Sequence, residues 1–251
     1  MLKLNDIVEY TDAYLRIDDI PDWPNALNGL QVENSGRVTK IGAAVDASLR
    51  TFTAAAEHGI DFLLVHHGLF WPGLRTITGP ARRQLAFLFE KDLAVYSAHL
   101  PLDVHPAVGN NARLASMLGL HDPEPFLDLK GELIGLRSAM QIFPNELAHN
   151  LEESLGAPVK LFPCGPATTS NVAVITGGAG SEIYAIAEEG IDTFITGEAP
   201  HWAAVAAAEL GINLLLGGHY ATETVGVKAL AAHLAERFGV EWKFLDFPTG
   251  L

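Results

Sequence analysis

One pattern constrains the fold of this chain more than any other, and it occurs twice. Residues 55–71 read AAEHGIDFLLVHHGLFW and residues 186–202 read IAEEGIDTFITGEAPHW. At one constant offset Asp61 aligns with Asp192, Trp71 with Trp202, and His66-His67 with Gly197-Glu198. Further on, LAVYSAHLPLD lies over NLLLGGHYATE, placing His99 over His219 and Asp103 over Glu223. The second match needs a shift of register, which falls in the intervening loop and helix, where insertions and deletions cost little. Many short repeats indicate a solenoid. A single long duplication instead predicts two similar α/β lobes, with a site drawing residues from both.

The segments between these matches fit that frame. Helices are expected over Asn5–Ile17, from Asp46 or Ser48 to His58, and over 81–91, 110–118, 181–189, 201–210 and 224–238. Between them, short apolar runs at 37–45, 61–65, 93–97, 172–176, 193–196 and 213–216 read as buried strands. Strands alternating with helices of this length imply parallel pairing and a layered α/β fold. The stretch IDDIPDWPNALNGLQVENSG reads as loop, being rich in Pro, Gly, Asn and Asp. Residues 163–170 read as a joint. The expected division is a first α/β lobe over 1–125, a connecting segment over 126–168 that carries a strand, a helix and another short strand, and a second α/β lobe over 169–251.

Composition excludes several classes of function. With 49% hydrophobic and 18% charged residues in 251, the chain can bury a sizeable core. It holds no apolar run long enough to span a membrane, and its first fifteen residues read as an amphipathic helix rather than a signal peptide. A single cysteine, Cys164, excludes an internal disulfide and a thiolate cluster. A cytoplasmic location is the expectation. A net charge of −14 argues against nucleic acid bound through a broad basic surface.

The remaining chemistry belongs to imidazoles and carboxylates, ligand types suited to zinc, iron or manganese. Adjacent residues on a regular strand point to opposite faces. His66 and His67 therefore serve one site only if the strand ends there, and Gly68 is consistent with a turn; otherwise they bind two neighbouring ions, one each. His219 and Glu223 share a helix face, and Gly217-Gly218 permit a sharp exit from the preceding strand. A carboxylate complementing the helix dipole would explain Glu223 alone, but not the recurrence of the same spacing at His99 and Asp103. His99 and Glu198 are the candidates for proton transfer, with a supporting role for His99 as the alternative. His201 faces the same region. His58, His105, His149 and His233 read as surface residues.

Taken together, NGLQV (28–32), HHGLFW (66–71), AHLPLDVHPAVGNN (98–111), TGEAPHW (196–202) and GGHYATETVG (217–226) resemble the Nif-three-like dinuclear metal-centre family, whose members are commonly named GTP cyclohydrolase I type 2 homologues. The resemblance implies two divalent ions per chain held by His66, His67, Asp103, His219 and Glu223. It also implies a ring-shaped homo-hexamer, and a compact form without the extra domain of longer members. Metal-assisted hydrolysis of a small molecule, a nucleotide among the candidates, is the expected activity. Glu223 is the candidate bridging ligand, with His67 and Asp103 on one ion and His66 and His219 on the other. A phosphate-cradling GxxxxGK loop is absent from the sequence, so the substrate does not follow from these residues. The rival expectation is a non-catalytic metal-binding assembly module or metal-delivery protein.

Overall fold

The computed structural model describes residues 2–73 and 75–251. In chain order the elements of the first half are β1 (Leu2–Lys3), α1 (Leu4–Leu15), β2 (Gly29–Val32), β3 (Arg37–Val38), β4 (Lys40–Asp46), α2 (Leu49–Glu57), β5 (Phe62–His67), α3 (Gly79–Lys91), β6 (Ala94–Ser97), α4 (Leu100–Asp103) and α5 (Asn110–Met117). The second half continues with β7 (Glu124–Leu129), β8 (Glu132–Ile142), α6 (Pro144–Leu155), β9 (Lys160–Pro163) and β10 (Thr169–Val174). A short 3-10 turn then leads into α7 (Ile183–Glu188), followed by β11 (Thr193–Thr196), α8 (His201–Leu210), β12 (Asn213–Leu216), α9 (His219–Phe238) and β13 (Glu241–Phe244).

The chain forms two compact units. The first comprises residues up to Leu102 with Gly226–Phe247, and the second Asp103–Val225 with Pro248–Leu251. This differs from the division expected from sequence. Residues 126–168 supply most of β7, all of β8 and β9, and α6 to the second unit rather than connecting two lobes. The C-terminal strand β13 returns to the first unit, where it pairs with β4. Helix α9 belongs up to Val225 with the second unit and from Gly226 with the first.

The first unit is built on a five-stranded sheet of order β13-β4-β5-β6-β2. Its first four strands run parallel and β2 is antiparallel on the edge. Strands β4, β5 and β6 are buried almost throughout, as continuous apolar runs in a parallel sheet require. On one face Phe52 and Ala55 of α2 and Leu88 of α3 close over Ala44, Leu63, Val65 and Val95. Ser48 caps α2, its hydroxyl accepting from the Thr51 amide at 3.2 Å.

The second unit holds a six-stranded sheet of order β7-β8-β10-β11-β12-β9. Strands β10, β11 and β12 are parallel, while β8 and β9 flank them antiparallel. Leu114 and Ala115 of α5 and Leu147 and Leu151 of α6 pack on Val172, Val174, Ile195 and Leu215.

Each sheet thus contains three consecutive parallel strands with an earlier strand antiparallel beside the third. The aligned aspartates also do the same work in each. Asp61 accepts from the amides of Thr39 and Lys40 at 2.9 and 3.1 Å. Asp192 accepts from those of Ser170 and Asn171 at 2.8 and 3.1 Å. Each carboxylate pins the start of the preceding strand.

Candidate metal centre

In the first unit the chemistry gathers at the carboxyl ends of β5 and β6. Strand β5 runs on through His66 and His67, and Asp46 pairs with His67 across the ladder. The strand thus ends at the histidine pair, with His67 its last residue. Their rings meet, with centroids 4.8 Å apart. Alternation fixes where each Cβ starts, but these are the last two residues of the strand, where the rings reach past the sheet. His99 follows β6, and its ring lies 4.9 Å from His66 and 5.7 Å from His67. One nitrogen from each of the three histidines can be chosen such that all lie within 4.8 Å of one another.

Each ring is held by its Nδ1. His66 Nδ1 is 2.8 Å from the Ala98 carbonyl oxygen, His67 Nδ1 is 2.9 Å from Asp46 Oδ1, and His99 Nδ1 is 3.0 Å from Asp22 Oδ1. A histidine so anchored carries its proton on Nδ1 and presents Nε2 as the donor, the arrangement that ligating histidines adopt. His66 is fully buried. Asp22 is nearly so, and it also accepts from Asn28 Nδ2 at 2.8 Å and from the amides of Trp23 and Leu100 at 2.7 and 2.9 Å. Burial alone would raise its pKa. The hydrogen bond and charge of His99, with the Asn28 and Trp23 donors, outweigh burial and hold it below the usual carboxylate range.

The turn after His67 is fixed by Gln31. Its Oε1 accepts from the Leu69 amide at 2.8 Å while its Nε2 donates to the carbonyls of Ala26 and Leu27. A Cβ at residue 68 would collide with the Gln31 amide group, which is why Gly occupies that position.

The second unit gathers its own set. His219 opens α9 and Glu223 lies one turn on, with Oε1 3.1 Å from His219 Nε2. Glu198 Oε1 is 3.1 Å from His219 Nδ1. Burial depresses the His219 pKa, but the hydrogen bonds and charges of Glu223 and then Glu198 prevail and push it up to about 9. Glu223 is 3% exposed. Gly177, at φ +69°, lies directly against its carboxylate, and a Cβ there would strike Oε1. Asp103 closes α4, its Oδ1 accepting from Asn110 Nδ2 at 2.8 Å and from the Thr176 hydroxyl at 3.4 Å.

The model of Duf34/NIF3 (NGG1p interacting factor 3) matches residues 2–249. The chain belongs to the Duf34/NIF3 family. Among its relatives, a protein of Deinococcus radiodurans named GTP cyclohydrolase 1 type 2 homolog is 41% identical, the match covering 98% of this chain and 94% of that one. The Escherichia coli protein of the same name is 40% identical over 99% of both chains. The solved structure of TTHA1606 from Thermus thermophilus is 43% identical, with a TM-score of 0.92 over the whole of both chains. HcgD from Methanocaldococcus jannaschii is 28% identical, with a TM-score of 0.87 over 98% of both.

Within this Duf34/NIF3 chain, His66, His67 and His99 form one cluster, while His219, Glu223 and Glu198 are neighbours in the other unit. Glu198, put forward for proton transfer, contacts His219 Nδ1. His201 opens α8 and is exposed. His233 is not a surface bystander: its ring stacks on Tyr14 at 4.2 Å and its Nε2 is 2.8 Å from the Tyr10 hydroxyl. Sequence reasoning missed Asp22 and Asp46, which hold His99 and His67. It quoted Asn28 and Gln31 only as parts of a motif. Asn28 ties Asp22 to the His99 amide, and Gln31 fixes the turn beyond the histidine pair.

Proposed function

We propose that His66, His67, Asp103, His219 and Glu223 hold two divalent ions, and that the protein uses them in metal-assisted hydrolysis of a small molecule. The observation that carries this reading is the anchoring of imidazoles. His66, His67, His99 and His219 each have Nδ1 against a carbonyl or carboxylate oxygen within 3.1 Å. A surface histidine has no need of such a partner, whereas a ligand does. The donor set is nitrogen and carboxylate oxygen without thiolate, which suits zinc, iron or manganese. Bound divalent ions would supply Lewis acidity and activation of water near neutral pH.

The chain's own residues have distinct parts in this scheme. Glu223, with two carboxylate oxygens, is the bridging candidate. Asp46 and Glu198 orient the ligands His67 and His219. His99, held by the buried Asp22, is the residue placed to move a proton at Nε2. The paired strand orders and the twin aspartates Asp61 and Asp192 support an origin of the two units by duplication. The family resemblance carries the proposed homo-hexamer, which light scattering checks directly. Among the described residues, no helix is long and apolar enough to cross a membrane.

The test is metal analysis of the purified protein, followed by a hydrolysis screen over nucleotides and phosphoesters with and without chelator. Chelator-sensitive turnover supports the reading. Full metal content with no turnover on any substrate favours a metal-delivery or assembly role instead.

A further inference from the structure

Two tryptophans flank the histidine cluster of the first unit, and the ligand scheme uses neither. Trp71 stands with its ring 4.5 Å from His99 and 5.6 Å from His67. Trp23 meets His99 edge-on at 5.7 Å. Both remain open, Trp23 at 44% and Trp71 at 38% exposure. Tryptophan is on average a well-buried residue, and two half-open indoles against one imidazole mark a surface made for contact.

The backbone under each indole is fixed. The Trp23 amide donates to Asp22, the same carboxylate that holds His99, and its carbonyl accepts from Ala26 at 2.9 Å. The turn carrying Trp71 is pinned by Gln31 through Leu69. A ligand meeting these rings loses little further freedom in ordering them. An aliphatic chain laid here would cover His99 and Asp22 without offering them a hydrogen bond. A flat ring with polar edges stacks on indole and still presents nitrogen and oxygen atoms to the imidazole.

We propose that Trp23 and Trp71 form a stacking subsite for a planar heteroaromatic ring, so that the substrate of the neighbouring metal centre carries such a ring. The inference rests on the reading of the histidine cluster as a working site. Stacking of a base on an aromatic side chain is worth about 1–3 kcal/mol, or roughly five- to 150-fold in affinity.

The experiment is equilibrium dialysis of the full chain against adenosine 5′-monophosphate and against ribose 5-phosphate, which shares the phosphate and sugar but lacks the ring. Wild type should bind the nucleotide at least tenfold more tightly. Trp71→Leu and Trp23→Leu should each lose most of that preference while ribose 5-phosphate binding stays unchanged, and Trp71→Phe should retain most of it. Metal content and melting temperature of each variant are measured alongside. Equal binding of the two probes by wild type overturns the proposal, as does a nucleotide preference that survives both leucine variants. Failure of both probes to bind, with a change of oligomeric state in the leucine variants, also overturns it and assigns the indoles to contact with another copy. Wild type without metal but with the ring preference intact would defeat the metal reading and leave the stacking subsite standing.

Discussion

Asp22→Ala perturbs the site at its most connected point. The carboxylate is 6% exposed and holds four donors: His99 Nδ1, Asn28 Nδ2 and the amides of Trp23 and Leu100. Removing an acceptor from buried donors costs about 1–3 kcal/mol per group left unsatisfied. Water entering the vacated space recovers part of this, so a total of about 3 kcal/mol is expected. For a chain of this size that corresponds to a melting temperature lower by roughly 6–12 °C. The pH dependence separates charge from packing. The folded pKa of Asp22 is depressed, so its stabilisation is present above the unfolded value of 3.8 and fades as pH falls through the folded pKa. Scans of wild type and Asp22→Asn, in chelator so that metal release does not contribute, should show a clear gap at pH 7 that narrows toward pH 3. A gap of the same size at both pH values would refute the electrostatic part of the argument. An Asp22→Ala variant as stable as wild type would refute all of it.

Three further outcomes follow from the same geometry. Glu223→Gln should weaken both ions together and Asp103→Asn mainly one, read by metal content after dialysis; one ion kept at full affinity in Glu223→Gln makes Glu223 a terminal ligand. Gly177→Ala combines a positive φ with a collision against Glu223, and should lower stability by about 1–3 kcal/mol and metal content with it; a variant with normal melting and normal metal shows that the loop yields freely. Because His219 keeps its proton up to about pH 9 in the metal-free protein, metal must displace that proton, so affinity should rise with pH between 6 and 9 by isothermal titration; a flat profile contradicts the role of His219 as a ligand.

Much of the fold was legible because parallel strands buried on both faces must be nearly all apolar. FLLV, AVYS, TFIT and NLLL carry that signal in the sequence itself. Strand β2 hid among Pro, Gly and Asn, since four residues on a sheet edge leave little periodicity. The hairpin of β7 and β8 hid its first strand behind EPFLDL, which carries Pro125 and the charged Glu124 and Asp128. The unit boundaries were illegible because the chain leaves the first unit and returns to it, and composition does not record a return. Histidines could be picked out by type and spacing, but their partners could not. Asp22 lies 77 residues from His99 and Asp46 lies 21 from His67, and both sit among residues that read as ordinary loop or strand end. At His66 and His67 strand alternation left a shared site open only at a strand end, because it governs Cβ direction and not where two rings converge past the end of a sheet.

The central claim is that imidazoles and carboxylates of this chain hold a pair of ions. Elemental analysis of the purified protein, with His66→Ala and His219→Ala beside it, tests this most directly. About two divalent ions per chain in wild type, falling in both variants while the melting curve stays cooperative, is the predicted result. Full metal occupancy in either variant would contradict the claim.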